Sequence, residues 1–134
     1  MPKYLFNMKR TIKRILKEEL TETEYMGGII PPHFLEELGI KLFKEEDVAS
    51  LTEIQFDTKR VVIDLFTYDD NGDYISYEDS WTIPDGFQYQ YSFNINDLPV
   101  SFIKYLIKEL SDNYGTNYLY PFLDMIPKGI FKNL

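Results

Sequence analysis

From Phe87 to Ile95 the chain reads FQYQYSFNI, with an apolar or aromatic side chain at every second position and Gln88, Gln90, Ser92 and Asn94 between them. A period of two marks a strand whose successive side chains point to opposite faces, one packed and one wet. Such a strand is not stable alone. It needs paired neighbours and a second layer over its apolar face.

The sequence supplies candidates for both. Ser50–Asp57 reads as a strand with Ile54 and Phe56 on one face, and Arg60–Tyr68 (RVVIDLFTY) as the near-continuous apolar run of a central strand. Tyr74–Ile83 reads as a third strand, with Ile75, Tyr77, Trp81 and Ile83 on one side. Turn signals separate them at Asp57-Thr58-Lys59, Asp70-Asn71-Gly72 and Pro84-Asp85-Gly86, and Asn71-Gly72 predicts a two-residue type I′ hairpin.

The covering layer is predicted from helical spacing. Residues 4–20 place Leu5, Met8, Ile12, Ile15, Leu16 and Leu20 on one face of an amphipathic helix, which Gly27-Gly28 interrupts. Pro32 suits the first turn of a short helix over 32–38, with Phe34, Leu35 and Leu38 inward and Gly39 as the stop. A helix over 98–113 presents Phe102, Ile103, Tyr105, Leu106 and Leu110 as a stripe, and Asn96 or Asp97 is a candidate cap. The apolar tail 118–134 predicts a short helix near Pro121–Met125 followed by an extended arm packed on the body. The expectation is one α+β domain over 1–134: a four-stranded antiparallel meander over about 50–95 carrying helices on one face.

Pro31–Lys41 (PPHFLEELGIK) is similar to the P-x-x-[IF]-x-x-x-LGIK segment of AbrB-like swapped-hairpin DNA-binding proteins, over 11 of 134 residues. Leu35 stands where that family usually has arginine, and Leu42-Phe43-Lys44 stands where glycine-aspartate usually follows. The residues that would carry DNA binding are therefore not matched.

The chain has no cysteine and one histidine, which excludes a disulfide framework, a cysteine nucleophile and a Cys/His metal cluster. With no apolar run long enough to span a bilayer and no signal-peptide pattern at MPKYLFNMKRTIKR, a cytoplasmic protein is expected. The many Tyr, Phe, Ile, Lys and Asn residues share AT-rich codons, so the aromatic excess is not by itself a binding signature.

Charge is segregated. Residues 1–17 carry six basic and no acidic groups, 18–57 balance to −9, 58–100 to −6 and 101–134 to +1, within a net charge of −8. The basic first helix is expected to lie across the acidic body rather than to touch phosphate or membrane. The carboxylates at Glu36, Glu37, Glu45, Glu46 and Asp47, and again at Asp69, Asp70, Asp73, Glu78 and Asp79, are the expected contact points for a basic surface on a protein partner. Direct nucleic-acid binding is not expected.

Catalytic constellations are weak. Asp69–Asp73 has D-x-N-x-D spacing, but Tyr74 and Ser80 stand where a calcium loop needs glycine and a bidentate glutamate. His33 has no nucleophile near it in sequence, and Asp64, which interrupts an apolar strand, is the only carboxylate with an unusual setting. Gly27-Gly28 lacks the partners of a phosphate loop. The expectation is therefore a non-enzymatic binding protein with no cofactor and no metal, of the inhibitor, immunity or nucleic-acid-mimic kind. The alternatives are a self-associating structural (virion or assembly) component built on the C-terminal arm, and a carboxylate-dependent hydrolase built on Asp64.

Overall fold

The computed structural model describes residues 23–80 and 83–133. The expected helix over 4–20 and the side chain of Trp81 lie outside the described residues. Five strands form one antiparallel sheet: β1 Thr23–Ile29, β2 Val48–Gln55, β3 Arg60–Tyr68, β4 Tyr74–Ser76 and β5 Gln90–Asn94. Among the described residues three α-helices accompany it: α1 His33–Leu38, α2 Val100–Asn113 and α3 Thr116–Met125. The fold is α+β.

The period-two segment behaves as its pattern requires. Phe87, Tyr89, Tyr91 and Phe93 are half-buried against the core and Ile95 is fully buried, while Gln88, Gln90 and Ser92 are exposed. Its pairing differs from a simple meander. β5 pairs with Arg60–Asp64 of β3, and β4 pairs with Phe66–Tyr68 of the same strand. The Leu65 N–H donates to the Tyr89 carbonyl at 2.8 Å between the two. Because β2 takes the other edge of β3, the two later strands share one edge, the chain leaving the sheet after Ser76 and rejoining it at Gln90.

That loop corrects the expected strand over Tyr74–Ile83. Ser76 Oγ accepts the Glu78 N–H at 3.2 Å and the Ser80 N–H donates to the Tyr77 carbonyl, so the chain turns into a 3-10 turn at Tyr77–Asp79 after only three strand residues. A serine side chain competing for backbone donors is a recognised way to end a strand.

The hairpin before it also differs from the expected type I′ turn. Only Gly72 has positive φ (81°), and Asn71 does not. Asp69 Oδ1 instead accepts the N–H groups of Asn71 and Asp73 at 2.9 and 3.0 Å, while the Gly72 N–H donates to the Asp69 carbonyl and the Asp69 N–H to the Asp73 carbonyl. The result is a three-residue loop ending in a left-handed glycine.

Two irregularities fix the rest of the sheet. In β2, Leu51 faces Ile63 while Glu53 faces Val62, so one step on β3 is matched by two on β2. The extra residue is Thr52, buried, with its hydroxyl donating to the Val62 carbonyl at 3.1 Å. This bulge shifts the phase of the strand, which is how Ala49 and Leu51 before it and Ile54 after it all reach one core despite their odd spacing. A second shift lies between Tyr25 and Gly28 of β1. Gly27-Gly28 is therefore not merely a break but part of a bulged strand that the sequence reading did not include.

The helices α1, α2 and α3 pack on the same sheet face. Phe34, Leu35 and Leu38 of α1, Phe102, Ile103, Leu106 and Leu110 of α2, and Phe122 and Met125 of α3 join Val61, Ile63 and Leu65 of β3 in a single core. Gly39 (φ 70°) ends α1 as expected, and Gly115 ends α2 with its N–H on the Leu110 carbonyl at 2.8 Å. The expected caps at Asn96 and Asp97 instead lie in a 3-10 turn, where Asn94 Oδ1 accepts the Asn96 N–H, and Pro99 precedes α2. α3 begins five residues before the expected Pro121 and carries that proline in its interior. The arm after it is a 3-10 helix, Lys128–Asn133, rather than extended chain.

Candidate functional site

The pairing of Val48 with Phe66 brings the start of β2 beside the end of β3. The loop before β2, which carries Glu45, Glu46 and Asp47, therefore lies beside the β3–β4 hairpin, which carries Asp69, Asp70 and Asp73. Glu78 and Asp79 follow directly in the 3-10 turn. Two acidic clusters far apart in sequence become one end of the sheet, where these described segments hold eight carboxylates and one base, Lys44.

Asp47 organises this end. It is buried (5% exposed), and its Oδ2 accepts the N–H groups of Phe43 and Lys44 at 3.1 and 2.8 Å and the Tyr77 phenol at 2.7 Å. Its own N–H donates to the Lys44 carbonyl, closing a tight turn. This corrects its place among the expected contact residues: the carboxylate faces inward and pins the loop to Tyr77. Glu45, Glu46, Asp70 and Glu78 are exposed, and Asp69, Asp73 and Asp79 are half-exposed. The Asp69 carboxyl is held below its usual range first by the Asp73 backbone N–H. Glu36 and Glu37 lie elsewhere, on α1, where Glu37 Oε2 accepts the Ser101 hydroxyl of α2 at 3.0 Å.

Between loop and hairpin opens a cleft of about 690 Å³ lined by Phe43, Lys44, Tyr68, Asp70, Tyr77 and Ile83 among others. Its apolar lining is unusually wet. Phe43, Tyr68 and Ile83 are 50%, 39% and 40% exposed, and they are half of the six large hydrophobic side chains exposed among the described residues. Phe43 is held from beneath by Tyr77 and Phe87, with ring centroids at 6.5 and 5.6 Å, and Tyr77 meets Phe87 at 5.0 Å. On the hairpin, Tyr68 faces its cross-strand partner Tyr74 with ring centroids at 4.4 Å, and the Tyr68 phenol donates to that of Tyr74 at 2.6 Å. That bond, together with the negative charge of Glu46, raises the Tyr68 pKa.

The Tyr77 phenol is pushed up to about 12, chiefly by burial and further by the carboxylates of Asp47 and Glu46, against an opposing contribution from Thr67. Tyr105 on α2 is also pushed up to about 12, by burial and by Glu109. Because both values exceed the usual phenol value of about 10, the stability these groups contribute is fully present below pH 10 and lost as pH rises through 12. In a spectrophotometric titration at alkaline pH, Tyr77 and Tyr105 are expected to be among the phenols that ionise late, and Tyr77→Phe is expected to reduce that late phase. A titration in which Tyr77→Phe leaves the late phase at full amplitude would contradict this assignment.

Among the described residues, those singled out for chemistry do not converge. Asp64 is buried (1% exposed) in the middle of β3, opposite Ser50 on one side and Gln90 on the other, on the face opposite α1, α2 and α3. His33 stands exposed at the start of α1 with its ring on Phe34 at 4.1 Å. Among the described residues, no group of three or more His, Asp or Glu side chains comes together as a metal site. No helix among them is long and apolar enough to cross a membrane.

The cleft itself was not legible in the sequence. Phe43 sits in an acidic run (KLFKEED) that reads as loop, and only a lone aromatic between charges hints at an exposed hydrophobic. Comparison of the chain with protein-family models, curated proteins and solved structures finds no match, so the reading of this site rests on its own residues.

Proposed function

We propose that this protein is a non-enzymatic binding protein whose acidic end docks on a basic surface of a protein partner, as an inhibitor, immunity or nucleic-acid-mimic protein does. The carrying observation is the coincidence of the merged acidic clusters with a cleft that exposes Phe43, Tyr68 and Ile83. Contiguous exposed apolar surface rimmed by polar groups is a mark of an interaction site. Aromatic anchors inside a charged rim are the usual composition of a specific interface. The charge attracts and orients the partner, and the aromatic floor supplies contact area once water is displaced. A nucleic-acid-processing enzyme is a partner of suitable charge, because its phosphate-binding surface is basic.

Phe122, Met125 and Ile126 are buried in the core, so removing residues 118–134 would take away core side chains rather than a free arm.

The test is capture of the partner from native lysate on immobilised protein, followed by a salt gradient. A partner with a basic surface is expected to be retained at about 0.05 M salt and released well below about 0.5 M, where screening shortens the reach of the field to a few ångströms. Retention that does not change with salt would contradict the proposal.

A further inference from the structure

We infer that the cleft between Phe43 and the Tyr68–Asp70 corner takes an arginine side chain of the protein partner as its anchor. The inference rests on the docking reading above and names the group that would enter the site.

Three features of the cleft select that chemistry. Its lining includes two aromatic side chains, Phe43 from the loop before β2 and Tyr68 from the end of β3, both exposed. A delocalised, weakly hydrated cation stacks on such faces better than a compact ammonium does. Its rim is acidic: Asp70 lines the cleft and is exposed, and Glu46 lies close enough to act on both Tyr68 and Tyr77. Carboxylates at the mouth of an aromatic slot suit the forked donors of a guanidinium, whose stem then lies along apolar surface. Ile83 provides such surface in the lining.

The site is also built rather than incidental. Phe43 does not stand free on a loose loop, because Asp47 accepts its N–H and that of Lys44 and is itself tied to Tyr77. Tyr68 is fixed by its ring contact and phenol bond with Tyr74. Rigid walls lower the ordering cost of binding. Among the described residues of the lining, Lys44 is the one opposing charge, and the carboxylates described around it outnumber it.

The inference is tested by backbone-amide NMR titration of the full chain with two uncharged-capped peptides of equal length, one alternating Gly-Arg and one alternating Gly-Lys. The arginine peptide is expected to move the amides of Phe43, Tyr68 and Asp70 and to bind roughly tenfold more tightly than the lysine peptide. Asp70→Asn, an exposed change that leaves the core untouched, is expected to weaken the arginine peptide several-fold, and Phe43→Ser to abolish its preference over lysine. Equal affinities for the two peptides, with shifts still centred on the cleft, would overturn the arginine anchor and leave the docking surface standing. Shifts centred elsewhere, or none, would overturn both.

Discussion

Replacing Phe102 with alanine is expected to cost about 4 kcal/mol of folding stability. Phe102 is fully buried on the inner face of α2 and meets the ring of Phe34 on α1 edge-on at 5.2 Å, with Tyr105 of its own helix at 5.8 Å. The side chain thus joins two helices that reach the sheet from different parts of the chain. Its removal leaves a cavity in a packed core, which collapses only partly, so the lost transfer energy and the lost packing add. The measurement is urea denaturation, with the midpoint falling and the slope unchanged. A loss below about 1 kcal/mol would mean that this helix pair is not part of the cooperative core.

Asp47→Ala is the second large effect, about 3 kcal/mol, and it differs in kind. No apolar contact is lost. The Tyr77 phenol loses its acceptor in a buried setting, and the Phe43 and Lys44 N–H groups lose theirs. Unmet buried donors cost more than the net worth of the bonds they made. The local consequence is as informative as the global one. The turn that presents Phe43 loses its pin, so Asp47→Ala is expected to weaken partner binding even among molecules that remain folded. Phe102→Ala is expected to leave the affinity of its folded fraction unchanged. Binding measured well below each variant's unfolding transition separates the two, and equal affinities would contradict the role given to Asp47.

The fold was readable wherever local pattern and tertiary environment agree. The alternation at 87–95, the proline-to-glycine frame of α1 and the apolar stripe of α2 each describe an element whose packing follows from its own periodicity. What escaped depended on partners distant in sequence. β1 is a strand through its pairing with β2, not through propensity, since it carries two glycines. The bulge at Thr52 is visible only as a phase slip between Leu51 and Ile54. The sharing of one β3 edge by β4 and β5 has no local signal at all.

The site divides in the same way. The acidic residues were identifiable by composition, but their merging depends on the register that sets Val48 opposite Phe66. Asp47 shows the limit of reading charge from sequence. In the run Glu45-Glu46-Asp47 three acids look alike, yet two are exposed and the third is the buried acceptor that shapes the loop.

The central claim is that the loop–hairpin end, and not the acidity of the chain as a whole, recognises the partner. Charge reversal at matched sites tests it most directly. Glu46→Lys with Asp70→Lys changes two exposed residues at the cleft, and Asp112→Lys with Asp124→Lys makes the same change in net charge at exposed positions on α2 and α3. In quantitative capture of the partner at fixed salt, the cleft variant is expected to lose about 100-fold in affinity, or about 2.7 kcal/mol, and the distant variant to bind as the parent does. Equal losses in the two variants, or none in either, would contradict the account.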